Sequence, residues 1–288
     1  MKILVMGANG QLGSELRVAT EGSPDCYIFT DVAELDITDR DSLEDFVTSH
    51  EIDIIINCAA YTAVERAEQE QALCDTINHQ AVVTLSDVAR ERGVMIIHIS
   101  TDFVFDGMRA TPYTEQDLPS PINHYGITKW AGERALAASD ARYITIRTGW
   151  LYSSYGNNFV LTILRLANER KEIRVVDDQR GTPTYAADLA EFLVRIISER
   201  KVAGYEGTYH YSNMGVASWY EFAREIVRLA GVDCRVLPCT TEEYPTRARR
   251  PRYSVLDKDF TRSRFGVEIP EWRASLARCI EKIMSSKL

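Results

Sequence analysis

The chain has 288 residues, 45% hydrophobic and 26% charged, and a formal net charge of −9 at pH 7. A chain of this length buries a substantial core, at the upper edge of what one core supports, and its composition is far from that of a disordered chain. The acidic balance argues against a nucleic-acid partner, which demands a concentrated basic face. No segment approaches the ~18 uncharged apolar residues of a spanning helix, so the expectation is a cytoplasmic protein with no membrane partner.

From the N-terminus, short β-rich runs at Ile3 to Met6, Tyr27 to Thr30, Ile52 to Asn57, Val94 to Ser100 and Tyr143 to Arg147 alternate with amphipathic stretches at Gln11 to Thr20, Arg40 to His50 and Ala72 to Arg92. Near-continuous Ile character, as in Asp53-Ile54-Ile55-Ile56-Asn57, marks strands buried on both faces. Such alternation predicts an α/β fold, a doubly wound parallel sheet covered by helices on both sides. Beyond Trp150 the rhythm changes to helices with few strands, at Phe159 to Arg170, Tyr185 to Arg200, Ser218 to Ala230 and Glu271 to Met284. Ser218-Trp219-Tyr220-Glu221 has the spacing of a capping box, and Gly231 stands where that helix would stop. The expected division is a domain over 1–150 and a smaller lobe over 151–288, with some segments of the lobe returning to the first domain. The polar stretch Thr111 to His124 is too long for an ordinary connection and reads as a functional loop.

Six cysteines form no C-x-x-C pair and have no histidines at ligand spacing, which predicts reduced thiols and no metal site. His98, inside an apolar run, reads as a packed strand residue. The acidic group Glu65, Glu68 and Glu70 reads as a solvated helix face.

Gly7-Ala8-Asn9-Gly10-Gln11-Leu12-Gly13 follows the first strand and opens the first helix. Glycine permits a tight turn and close backbone approach, and a helix N-terminus aims unpaired N–H groups at an anion. Gly7, Gly10, Gln11, Leu12 and Gly13 are therefore expected around a dinucleotide pyrophosphate. Asp31 closes the second strand where a carboxylate would accept from the ribose 2′-OH and repel a 2′-phosphate, a lean toward NAD. Asn57-Cys58-Ala59-Ala60-Tyr61 ends the third strand in small residues against which a cofactor can lie. Asn78, in the long helix, either braces that strand or faces solvent.

Tyr125 and Lys129 stand four residues apart, on one face of a helix. A nearby ammonium favours phenolate and lowers a pKa that starts at about 10, which would make Tyr125 an acid/base at neutral pH. Ser100-Thr101-Asp102 ends the fourth strand at the carboxyl edge of the sheet, where ligands bind, and Thr101 would hydrogen-bond a substrate carbonyl. The chemistry expected is hydride transfer from NADPH or NADH to a carbonyl carbon while Tyr125 protonates the oxygen.

The G-x-x-G-x-x-G spacing with Tyr125-Gly126-Ile127-Thr128-Lys129 resembles the extended short-chain dehydrogenase/reductase family. Asn57 to Glu70, His98 to Gly107, Arg147 to Tyr152, Asp178 to Thr184, Ser218 to Ala223 and Arg250 to Asp257 resemble, within it, the dTDP-4-dehydrorhamnose reductases. The resemblance implies a Rossmann-type fold with a smaller C-terminal substrate-binding lobe, and reduction of the 4-keto group of a nucleotide-sugar by Thr101, Tyr125 and Lys129. It implies that Asp36 and Ile37 lie beside the adenine, and that Ala59, Ala60, Tyr61, Thr62 and Ser100 lie near the rest of the cofactor. Val64, Glu65, Thr101, Asp102, Phe103 and Trp150 would line the sugar site, with Asn158 and Arg250 at the diphosphate. A homodimer is implied by the resemblance alone.

Two positions depart from the pattern: Phe103 stands where tyrosine is usual, and Gly149 where serine is common before the tryptophan. A related 4-keto-6-deoxysugar thus remains open as the substrate. Asp102 is followed by Phe103 where dehydratases of this superfamily carry glutamate, which counts against elimination. An epimerase keeps the same triad. A non-catalytic NAD(P)-binding regulatory subunit would have no need of a tuned phenol.

Overall fold

The computed structural model describes residues 1–285. In chain order, β1 (Lys2–Met6), α1 (Gln11–Ala19), β2 (Cys26–Thr30), α2 (Arg40–Ser49) and β3 (Ile54–Asn57) are followed by α3 (Val64–Ala67), α4 (Gln71–Asp75), a π-helical turn (Thr76–Gln80) and α5 (Ala81–Arg92). Then come β4 (Met95–Thr101), α6 (His124–Ala138), β5 (Arg142–Thr148), β6 (Leu151–Tyr152), α7 (Phe159–Glu169), β7 (Glu172–Val176), β8 (Arg180–Gly181), β9 (Thr184–Tyr185) and α8 (Ala186–Ser198). The chain closes with β10 (Gly207–His210), β11 (Ala217–Ser218), α9 (Trp219–Ala230), β12 (Arg235–Cys239), α10 (Asp259–Phe265) and α11 (Trp272–Ser285).

Six parallel strands in the order β10-β5-β4-β3-β1-β2 form the central sheet. The chain leaves β1 toward β2 and then crosses to β3 on the other side, so a crevice opens at the carboxyl ends of β1 and β3, the switch point of an open α/β sheet. The apolar runs of β1, β3 and β4 are buried because helices cover both faces. Leu16 of α1 and Leu193 of α8 pack with Ile3 and Val5 on one face, and Leu43 of α2, Leu85 of α5 and Leu136 of α6 pack with Leu4 on the other. A third core, around Tyr152, Phe222 and Trp272, joins α7, α9 and α11.

The helices expected from periodicity start and stop within two residues of the observed ends. Ser218 and Glu221 form the capping box, and Gly231 ends α9 in the left-handed conformation. Beyond Trp150 the expectation of few strands fails, for seven lie there among the described residues. Four are only two residues long, too short to carry a period. β10 pairs with β5 in the central sheet, and α8 packs on α1. The stretch 111–124 puts no residue into the wall of the crevice and is pinned at its start to 255–257: the Tyr113 N–H donates to Val255 O at 2.8 Å, and Tyr113 O accepts from the Asp257 N–H at 2.7 Å. No helix among the described residues is long and apolar enough to cross a membrane.

Helix α6 is fixed at both ends. Asn123 caps it, accepting from the Gly126 N–H at 2.8 Å. Farther along, Glu133 meets Arg147 of β5 at 2.7 Å with side chains only 3% and 4% exposed. Arg147 Nε bridges both carboxylate oxygens at 3.1 and 3.0 Å, and the Ser100 hydroxyl of β4 donates to the same carboxylate. Replacing one member of a buried pair strands the other charge. Glu133→Gln should therefore lower unfolding free energy by about 3–5 kcal/mol in urea titrations, and a loss below ~1 kcal/mol would show that the pair does not anchor the helix.

Candidate active site

A cleft of about 950 Å³ lies at the carboxyl ends of β1, β3 and β4. Gly7 has a φ of +75°, and a Cβ there would come within 2.7 Å of Ala59 N, so the first turn presses directly on the chain leaving β3. A Cβ on Gly13 would lie 2.5 Å from Gly7 O, so glycine is also what lets α1 close on that turn. Gly10 begins α1 without a side-chain cap, which leaves first-turn N–H groups for an anion. Gly7, Gly10, Gln11, Leu12 and Gly13 all line the cleft. This cradle, with glycine required at Gly7 and Gly13 for its close approaches, fits a dinucleotide pyrophosphate.

At the far end of the cleft, Asp31 accepts from the Asn9 and Val32 N–H groups, both at 2.9 Å, which fixes its carboxylate. Asp36 and Ile37 line the wall there, as do Ala59, Ala60 and Thr62 beyond β3. Tyr61 does not: its ring packs with Ala67 and Cys74, and its hydroxyl donates to Glu70. Its backbone is held from both sides by Asn78, which accepts from Tyr61 N–H at 2.9 Å and donates to Tyr61 O at 3.0 Å. Asn78 is buried in the π-helical turn and braces the segment after β3. Ser100 lines the cleft, but its hydroxyl is committed to Glu133.

Thr101, Tyr125 and Lys129 meet in the floor. The Thr101 hydroxyl accepts from the Phe103 N–H at 3.1 Å and donates to Asp102 Oδ1 at 3.2 Å. Burial raises the Tyr125 pKa above its ordinary value, and the Thr101 contact works against that rise. The expected lowering by Lys129 is not found, because Lys129 Nζ donates to Ile99 O at 2.7 Å and is itself brought down to about 8 by burial. A phenol that keeps its proton suits a donor, which must stay loaded until negative charge develops on the acceptor.

Of the residues expected around the substrate, Val64, Asp102, Phe103, Trp150 and Arg250 line the cleft with Thr101. Phe103 packs its ring against Tyr125 at 5.9 Å. Glu65 and Asn158 do not line it. Glu65 accepts from Arg250 Nη2 at 2.8 Å and from the Arg247 N–H at 2.8 Å, so it holds the arginine loop. Asn158 caps α7 and donates to Ser153 O at 2.8 Å, while Gly156 and Asn157 beside it reach the cleft. Glu68 accepts from the His124 N–H at 2.8 Å, so the acidic group is three separate clasps and not a solvated face. Arg250 Nε is buried and has no hydrogen-bond partner among the described residues.

Trp150 stacks on Trp219 with ring centroids 3.5 Å apart, and a Cβ on Gly181 would lie 2.4 Å from its ring. Trp219 lines the cleft and was not foreseen, since its sequence signal is that of a helix start. Gly149 is explained by its neighbour, for a Cβ there would lie 2.5 Å from Asp102 Cγ. The space a serine would take belongs to the Asp102 carboxyl.

A family model described as RmlD substrate binding domain matches residues 1–285. The chain belongs to this family. Among relatives, the dTDP-4-dehydrorhamnose reductase of Burkholderia thailandensis is 38% identical, over 99% of this chain and 100% of its own. The crystal structure of a dTDP-4-dehydrorhamnose reductase from Clostridium acetobutylicum superposes with a TM-score of 0.94 at 43% identity, covering 99% of this chain and 100% of its own. That of the Bacillus anthracis enzyme, in complex with NADP, gives 0.93 at 39% identity, covering 98% and 99%.

Asp102 supplies a test of the site. Burial pushes its carboxyl up to about 6, and its Oδ2 has no hydrogen-bond partner among the described residues. The native carboxyl thus holds its proton more tightly than an unfolded aspartate, so stability should fall as pH rises from about 4 to about 6 and stay low above that. Asp102→Asn removes this dependence, and at pH 7 it should unfold later than the native protein, by at most about 2–3 kcal/mol in denaturant titrations. Identical pH profiles for the two proteins would show that the carboxyl is not perturbed.

Proposed function

We propose that the chain reduces the 4-keto group of dTDP-4-dehydro-β-L-rhamnose to dTDP-β-L-rhamnose, a polysaccharide precursor, using NADPH or NADH. The observation that carries this reading is the meeting of Thr101, Tyr125 and Lys129 in one cleft whose glycine cradle fits a dinucleotide. The full-length relatives named for this reaction support the choice of substrate. The reduced nicotinamide, when bound, supplies the hydride to C4. Thr101 holds the carbonyl oxygen, Tyr125 gives it the proton, and Lys129, as an ammonium, would hold the cofactor's ribose hydroxyls.

The Gly7 to Gly13 turn would take the pyrophosphate, Asp31 the adenosine ribose, and Arg250 the sugar diphosphate, where a guanidinium suits the charge. Trp150 would offer its aromatic face to the deoxysugar or base. In this reading residues 1–150 hold the cofactor and the 151–288 lobe supplies most of the substrate wall. A cytoplasmic location, a homodimer and the absence of nucleic-acid partners belong to the same reading.

Single-turnover oxidation of NADPH and NADH with dTDP-4-dehydrorhamnose should be rapid for the native protein and slowed by about 10²–10⁴-fold in Tyr125→Phe. No oxidation by the native protein with either cofactor would move the assignment to another ketosugar or to a regulatory role. Removing the carboxylate that faces the ribose should favour the phosphorylated cofactor. Asp31→Ser is expected to raise the NADPH-to-NADH ratio of kcat/KM by roughly tenfold, and an unchanged ratio would place the ribose elsewhere.

A further inference from the structure

Behind the cleft floor, Asn57, His98 and Lys129 form a buried line in which the hydrogen positions are over-determined. Asn57 Oδ1 accepts from the Ala59 N–H at 3.1 Å, which turns the amide nitrogen toward His98 Nδ1 at 3.2 Å. An amide nitrogen only donates, so Nδ1 must accept, and a neutral imidazole then carries its proton on Nε2. Nε2 faces Lys129 Nζ at 3.4 Å. An ammonium there sets N–H against N–H. A neutral amine accepts from Nε2–H through its lone pair and still donates to Ile99 O at 2.7 Å. His98 is 0% and Lys129 2% exposed, so water does not relieve the conflict.

We propose that His98 is a positioning residue, fixed by Asn57 as the Nε2–H tautomer, whose N–H faces Lys129 and weakens that lysine's hold on its proton. The catalytic meaning of this inference rests on the reductase reading. The other titratable groups that act on Lys129 are Glu133 on α6, Cys58 after β3 and Cys74 on α4, and Tyr125 stands one turn before it on α6. Glu133 is committed to Arg147 and Ser100, and burial pushes the Cys58 thiol up to about 12 and raises that of Cys74. Burial likewise holds His98 well below the ordinary histidine range, so its ring stays neutral. The consequence is a lysine that changes charge near neutrality, and an alkaline limit to turnover set from behind the cleft.

A second buried histidine provides the control. His210 Nδ1 lies 3.1 Å from Tyr113 O, to which it can only donate, and its Nε2 lies 3.4 Å from Arg147 Nη1, from which it can only accept. Its tautomer is therefore the opposite one. Long-range ¹H–¹⁵N spectra of the native protein with ¹⁵N-labelled histidine, from about pH 5.5 to about pH 9, should show two non-titrating rings, one Nε2–H and one Nδ1–H. Two Nδ1–H rings, or only one ring that fails to titrate, overturn the proposal. This spectrum is read without turnover, so it fails or stands independently of the reductase reading.

The kinetic counterpart is His98→Gln, whose carbonyl can accept from the ammonium. The alkaline limb of kcat/KM should move up by about one pH unit, the scale of one hydrogen bond to a charged group. A uniform loss at every pH with the limb unmoved would make His98 a packing residue and overturn the proposal.

Discussion

Glu133 and Arg147 meet where water does not reach, and the placing of the whole reactive group follows from that contact. A buried ion pair tolerates little drift, because each charge loses its only solvation if the other moves. Arg147 is carried on β5 and Ser100 on β4, so the carboxylate of Glu133 is fixed to two neighbouring strands at once. Glu133 lies four residues beyond Lys129 and eight beyond Tyr125 on the same helix. The pair therefore sets both the rotation and the height of α6 against the strand that ends in Thr101. The phenol and the lysine amine come from α6 and the threonine hydroxyl from β4, and this polar bolt, itself outside the chemistry, keeps the two elements together.

The other end of the cleft is governed by the absence of side chains. Gly7 and Gly13 are positions where a single carbon would strike backbone, and Gly149 and Gly181 are positions where it would strike Asp102 and Trp150. The first two bring a turn and a helix start within reach of a bound anion. The second two let a carboxyl and an indole occupy the wall of the cleft. Trp150 has a φ of +50°, a conformation that costs energy for any residue but glycine, and it is kept there between Trp219 and Gly181.

Much of this was readable in the residues. Strands β1, β3 and β4 were legible because parallel strands buried on both faces leave aliphatic runs, and the glycine turn because its glycines fall between a strand and a helix. Tyr125, Lys129 and Thr101 were legible because their spacing put them at the carboxyl edge of the sheet. What escaped depended on contacts between distant segments. Nothing local marks Glu65 as the clasp of Arg250, or Asn158 as a cap in place of a ligand. The charge near Tyr125 was misjudged because an i, i+4 spacing fixes a helix face but not where a long side chain ends, and Lys129 ends on Ile99 O. Trp219 and the two-residue strands had no periodic signature.

The sixth strand of the central sheet has a consequence for how the protein is made. β10 pairs with β5 across more than fifty residues of intervening chain, and α8, which covers β1 and β3 together with α1, also belongs to that interval. A nascent chain that has emerged only as far as Trp150 therefore exposes an unpaired strand edge and an uncovered aliphatic face, both invitations to association. Completion of the first half must wait for the second, which makes late ordering and a need for shielding during synthesis built-in costs of the topology.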